Sequence, residues 1–129
     1  MNFCQIKETC IYFSDLNKAE DFYHGKLELP ILSLVKDKHI FFRAGTSVLL
    51  CFNPKDSRQK KSPPGHYAEG KYHFAFEVAR DEYEWHKEKV REKGISIIDE
   101  VVWETGQESF YFEDPEGNVV EIVPEGIWN

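Results

Sequence analysis

The stretch HIFFRAGTSVLLCF, from His39 to Phe52, is echoed by SFYFEDPEGNVVEIV, from Ser109 to Val123. Each reads as a strand, a tight turn and a second strand, and each closes one half of the chain. The elements ahead of each copy repeat as well. Thr9–Phe13 alternates in polarity as a strand does. Asp15 is a good N-cap, and Leu16, Ala19, Phe22 and Tyr23 give one apolar face to a helix running from Leu16 to about Lys26. Pro30 stops any continuation. Ile31–Val35, His39–Arg43 and Ser47–Phe52 follow as strands, the last two joined by a turn through Gly45. In the second half Tyr72–Val78 is a strand, Asp81–Lys93 a helix ended by Gly94, and Ile95–Val101 a strand. Glu108–Glu113 and Asn118–Val123 close it. Pro115 suits the turn position that needs φ near −65°, and Gly117 one where φ is positive.

The chain therefore reads as an α+β fold of two βαβββ modules, residues 1–53 and 72–129. The polar, basic, turn-rich stretch 54–71 is a linker or lid between them. Two copies are an internal repeat and too few for a solenoid. One helix covers one face of each sheet. The other face needs a partner, so the modules are expected to curve around each other into a cup-like mixed sheet with helices outside and a concave space within.

Composition narrows the partners. Hydrophobic content of 41% and aromatic content of 15% suffice for a packed core and argue against disorder. A net charge of −7 repels nucleic acid and anionic membranes. No apolar run is long enough to span a bilayer, and the first residues have neither the basic nor the apolar region of a signal peptide. The three cysteines, Cys4, Cys10 and Cys51, show no metal spacing and read as reduced thiols, so a cytoplasmic protein is expected.

Strand alternation assigns faces. Phe74, Phe76 and Val78 face the helix, which leaves His73, Ala75 and Glu77 on the opposite row. In the last strand Val120 and Ile122 face the core, leaving Val119, Glu121 and Val123. By the same rule Thr9, Ile11, Phe13, Leu49 and Cys51 are core, and Glu8, Cys10, Tyr12, Val48, Leu50 and Phe52 face the concave space. Glu8 is then repeat-equivalent to His73, and Leu50 to Glu121. A carboxylate at Glu121, among valines and isoleucine, needs a counter-charge or hydrogen bonds.

Three motifs in register, SDLNKAEDFY (Ser14–Tyr23), HFAFEV (His73–Val78) and FYFEDPEGNVVE (Phe110–Glu121), together with the strand order, resemble the vicinal oxygen chelate superfamily. Its members include glyoxalase I, bleomycin-resistance proteins, fosfomycin-resistance enzymes and extradiol dioxygenases. The resemblance covers nearly the whole chain. It implies that first-strand and fifth-strand positions supply His, Gln or Glu to one divalent metal ion and that closing strands supply Glu. Here those positions hold Glu8, His73 and Glu121, while Leu50 cannot ligate. One imidazole and two carboxylates suit Zn, Ni, Mn, Co or Fe and leave positions open for water or substrate. Glu8 in place of His or Gln departs from the 2-His-1-carboxylate dioxygenase pattern. Leu50 departs from glyoxalase I, which resembles a chemistry using carboxylates from both modules.

The function implied is a metal-dependent glyoxalase-type enzyme, a lyase or isomerase. Its small-molecule substrate would chelate the metal through adjacent oxygens, with Glu8 and Glu121 as catalytic carboxylates and Glu8 the expected proton carrier. Arg43, Leu50, Phe52, Tyr111 and His66 are the candidate substrate-binding residues. Arg43 is placed to hold an anionic group or, equally, to pair with a surface acid. His66 sits in the lid stretch, where a solvated loop histidine is the competing reading. His24, His39 and His86 fit exposed positions without a role. Trp103 and Trp128 suit edge packing or a subunit contact, and the resemblance implies a homodimer. The alternative is a metal-free protein of bleomycin-resistance type that sequesters a drug in an aromatic groove of Tyr12, Phe41, Phe52 and Tyr111, with Glu8 and His73 simply paired. An extradiol dioxygenase is the third reading.

Overall fold

The computed structural model describes all residues from Met1 to Asn129, which divide into two compact units, Met1–Gly70 and Lys71–Asn129. In the first unit the order is β1 (Glu8–Tyr12), α1 (Leu16–Ala19, continued by wider turns over Glu20–Lys26), β2 (Ile31–Val35), β3 (His39–Ala44), β4 (Ser47–Phe52) and α2 (Pro54–Ser57). The second has β5 (His73–Val78), a single turn at Arg80–Glu82 leading into α3 (Tyr83–Glu92), β6 (Asp99–Val102), β7 (Glu108–Glu113) and β8 (Val119–Pro124). The sheets share one topology. Strand order is β1-β4-β3-β2 in one and β5-β8-β7-β6 in the other. The β1/β4 and β5/β8 pairs are parallel and the rest antiparallel. The α+β reading with two βαβββ units holds. No helix is long and apolar enough to cross a membrane.

Local chemistry explains the boundaries. Asp15 caps α1 by accepting from the Asn17 N–H at 3.0 Å. Ala19, Phe22 and Tyr23 are buried against Ile11, Phe13, Ile40, Phe42, Leu49 and Cys51 of the sheet. Tyr23 meets Phe13 edge-on at 6.3 Å and Phe42 at 5.7 Å. In the second unit Tyr83, Val90 and Ile95 share a core with Phe110, Phe112, Val120 and Ile122.

Two expectations shift. The strand expected at Ile95–Val101 forms only at Asp99–Val102. Gly94, at φ 77°, reverses the chain after α3, and the Ile95 N–H returns to Val90 O at 3.2 Å. Ile95 is buried as part of that helix end, not as a strand residue. The stretch after Asn53 contains a helical turn that composition did not reveal. The Asn53 side chain accepts from the Lys55 N–H at 3.0 Å, Ser57 is fully buried, and the His66 N–H donates to Ser57 O at 3.2 Å.

Tyr83 has a buried hydroxyl without a hydrogen-bond partner. Its ring lies against Phe110, with Lys87 Nζ 5.4 Å from the ring centre. Burial first, and then Glu108, Glu84, Glu100 and Glu121, push its phenol well above the ordinary value of 10. The unfolded chain releases that proton at the ordinary value while the folded protein holds it. The unfolded state thus binds fewer protons above that pH, and stability falls as pH rises. Tyr83→Phe removes both the titrating group and the orphan hydroxyl. Urea unfolding at neutral pH and at about pH 10.5 should show a shallower alkaline loss in the variant, with neutral stability equal to or above wild type.

Candidate functional site

The open face of the second sheet carries His73, Ala75 and Glu77 from β5, Val119, Glu121 and Val123 from β8, and Ser109, Tyr111 and Glu113 from β7. Glu121 is only 7% exposed. Its direct neighbours across the ladders are Ala75 and Tyr111. Ala75 is small, so His73, two residues earlier on the same row, reaches across. His73 Nε2 stands 3.2 Å from Glu121 Oε1. The Tyr111 ring lies 6.0 Å from the His73 ring, and its phenol is pushed above the ordinary value by burial first and by the neighbouring Glu121 and Asp99 charges, with Ser109 pulling the other way.

The other ring nitrogen settles what this pair can do. His73 Nδ1 is 3.0 Å from Val119 O. A carbonyl oxygen only accepts, so Nδ1 carries the hydrogen and Nε2 is left to face a carboxylate oxygen. Two acceptors at that distance need either a proton shared between them or a metal ion bound by both. Donors held at about 2.1 Å by one ion at right angles stand about 3 Å apart, the spacing found here. The second shell fits as well, because metal-binding histidines commonly donate their other N–H to a backbone carbonyl. The pair therefore suits a divalent ion. No set of three or more His, Cys, Asp or Glu side chains comes together in either unit to hold one. The third expected ligand, Glu8, belongs to the first unit.

Glu8 opens β1 opposite Val48 and is exposed, with neither an ion pair nor a hydrogen bond. The open face of its sheet runs in three rows. Glu8, Val48 and Arg43 form the first, Cys10, Leu50, Phe41 and Ser33 the second, and Tyr12, Phe52 and His39 the third. Leu50, Arg43 and Phe41 are half-buried. The Arg43 guanidinium makes no ion pair or hydrogen bond, whereas Arg58 lies over Tyr67, Arg80 donates to Glu125 O and Arg91 meets Glu88 and Glu100. The surface-acid partner weighed for Arg43 is absent. His66 closes the third row, its Nδ1 2.7 Å from the Tyr12 hydroxyl and its ring edge-on to Phe52 at 4.7 Å. It is an exposed loop histidine, as one of the two readings expects, with its ring engaged by Tyr12 and Phe52.

His39 also belongs to this face, opposite Phe52. It is half-buried, not exposed. Its ring is stacked on Phe41 at 4.0 Å, its Nε2 is 2.9 Å from Ser33 Oγ, and its Nδ1 is buried without a partner. Burial first, then the Lys60 charge, lowers its pKa. Strand alternation from Arg43 and Phe41 back to His39 is the signal that finds it. His24 and His86 make local bonds to Leu29 O and Glu82 O and stay outside the site. Trp103 donates to Ser109 Oγ at 3.0 Å, and Trp128 is exposed. A cavity of about 390 Å³ lies beside α1 in the first unit, lined by Asp15, Glu20, Lys36 and Asp37, and none of the expected site residues reaches it.

Residues 5–122 match the Glyoxalase/Bleomycin resistance protein/Dioxygenase superfamily. The chain belongs to that family. It is 28% identical over 118 residues to the glutathione transferase FosA of Serratia marcescens, covering 84% of this chain and 72% of that protein. The crystal structure of lactoylglutathione lyase from Agrobacterium tumefaciens superposes with a TM-score of 0.92 at 30% identity, over 99% of this chain and 98% of that one. The fosfomycin resistance protein FosX of Listeria monocytogenes, solved with Mn(II), shares the fold at 20% identity and a TM-score of 0.69, over 95% and 90% of the chains.

Gly65 holds His66 in place. A Cβ there would stand 2.7 Å from Lys60 O and 3.0 Å from Arg58 O, both backbone atoms. Gly65→Ala must move the turn, at a cost of about 1–3 kcal/mol. Urea unfolding should show that loss, and NMR contacts between the His66 ring and Tyr12 and Phe52 should weaken. Wild-type stability with the contacts intact would contradict this role for Gly65.

Proposed function

We propose that this protein is a metal-dependent enzyme of glyoxalase type, a lyase or isomerase acting on a small molecule with two adjacent oxygens. The observation that supports the reading is the His73–Glu121 pair, two acceptor atoms 3.2 Å apart, a spacing that one shared metal ion fits. Glu8 would complete the ligand set from a first unit, of the same chain or of a second copy in a homodimer. A divalent ion in that set would polarise both substrate oxygens as a Lewis acid.

The chain's own residues do the rest. Val119 O orients the His73 ring through Nδ1. Tyr111 packs beside Glu121 and limits water around its carboxylate. Glu8, exposed and unpaired, is free to take a proton from a substrate carbon and return it. Arg43 is free to grip an anionic group. Leu50, where a fourth ligand would stand, leaves apolar wall for the substrate's body. Cys4, Cys10 and Cys51 form no disulfide, which suits the reducing cytoplasm.

Metal analysis of protein purified without chelator, and melting with Mn²⁺, Ni²⁺ or Zn²⁺ after chelation, test the reading. At a hundredfold excess over Kd a bound ion stabilises by about 2.7 kcal/mol, a rise in Tm of several degrees. His73→Ala and Glu121→Gln should abolish most of that rise. A Tm indifferent to all three ions, with no metal found, would defeat it. The aromatic row of the first unit would then favour the second reading, a binding protein without chemistry.

A further inference from the structure

We infer that the substrate carries a flat aryl group, joined directly to an anionic head with adjacent oxygens, and that the open face of the first sheet binds it. This rests on the enzymatic reading above and names the substrate class for the same site. The His39–Phe41 stack is the starting point. The two rings are nearly parallel, with an interplanar angle of 10° and centroids 4.0 Å apart. His39 covers one face of Phe41. Phe52 meets Phe41 edge-on at 5.3 Å, and no ring or guanidinium of the chain covers its other face. Phe41 therefore has no second ring stacked on it within the chain, and Arg43 is the next residue of β3 on the same face of the sheet.

Charge lies where such a ligand needs it. Arg43 is two residues from Phe41, about 6.7 Å along the strand, and its guanidinium has no partner in the chain. A half-buried, unpaired arginine beside an open aromatic face is complementary to an arylated anion. Leu50 and Val48 supply apolar floor across the ladder. Glu8 lies on the Arg43 row, so the head sits near the proposed ligand and proton carrier. At the far end stand the Tyr12–His66 hydrogen bond and the His66 ring, edge-on to Phe52. The open face of the second sheet offers no comparable aromatic floor. Beside His73 and Tyr111 it presents Glu77, Glu113 and Glu121.

Phenylglyoxylate, cyclohexylglyoxylate and pyruvate share one head and differ in the body, so titrating each into the full chain, by NMR or calorimetry, isolates the ring. The measurements are made on chelator-treated protein and on Mn²⁺-loaded protein. Phenylglyoxylate should bind at least about tenfold more tightly than the other two in both states. Phe41→Leu should erase that preference while leaving pyruvate unchanged, and Phe41→Tyr should keep it. Arg43→Gln should weaken all three alike. Melting curves of the variants show that the fold is retained. Equal binding of the three acids, binding of none, or a preference untouched by Phe41→Leu overturns the inference. Failure of the metal reading looks different: no ion raises the Tm, yet the aryl preference persists after chelation.

Discussion

Glu121 is a carboxylate placed inside a strand of valines and isoleucine, and the parallel pairing of β5 with β8 decides what it meets. That register sets Ala75 directly beside it and His73 one step along the same row. A larger residue at 75 would fill the space into which His73 leans. A slip of one residue would turn the histidine to the helix side and bring Phe74 to the carboxylate. The pair at 3.2 Å is therefore a product of register as much as of residue type.

The register is held by a turn with a network of hydrogen bonds around Asp114 and Asn118. Asp114 accepts from the Glu116 and Asn118 N–H groups and from the Asn118 side chain, each at 2.9 Å. Asn118 in turn accepts from the Tyr72 N–H at 3.2 Å, at the threshold of β5. Gly117, at φ 91°, supplies the conformation that closes the turn. One buried network thus ties the β7–β8 hairpin to the start of β5, and so ties Tyr111, Glu121 and His73 to one another. Buried charge-assisted bonds of this kind cost much to break, which favours a single arrangement of the face.

Much of this was legible in the chain because strand alternation is a strict code. His73 and Glu121 fall on one row, and Phe110 and Phe112 on the other, with no knowledge of the fold. What alternation cannot give is the reach of a side chain. The match of Glu8 with His73 by repeat position did not foretell that His73 would turn to Glu121. Ile95 misled for a different reason: an apolar residue after a helix-stopping glycine packs onto the helix it follows as readily as it starts a strand. The helical turn after Asn53 was hidden because its order comes from one cap, a fully buried Ser57 and the fit around Gly65. Composition counts such a stretch as flexible. His39 shows its place only together with its strand, which sets it on the same face as Phe41 and Arg43.

The two open faces are unequal in a way that duplication alone does not require. At repeat-equivalent places one has Leu50 and the other Glu121, one Glu8 and the other His73. Around them the difference widens. The first face is aromatic and apolar, with a free arginine and a free glutamate at one end and a histidine closing the other. The second gathers carboxylates around one histidine. A carboxylate can be kept where a cation repays its desolvation, and an unpaired guanidinium where an anion does. On the first face the Arg43 guanidinium and the Glu8 carboxylate both lack a partner in the chain, and on the second the buried Glu121 carboxylate meets His73. A divalent cation would answer the Glu121 carboxylate and an anion the Arg43 guanidinium.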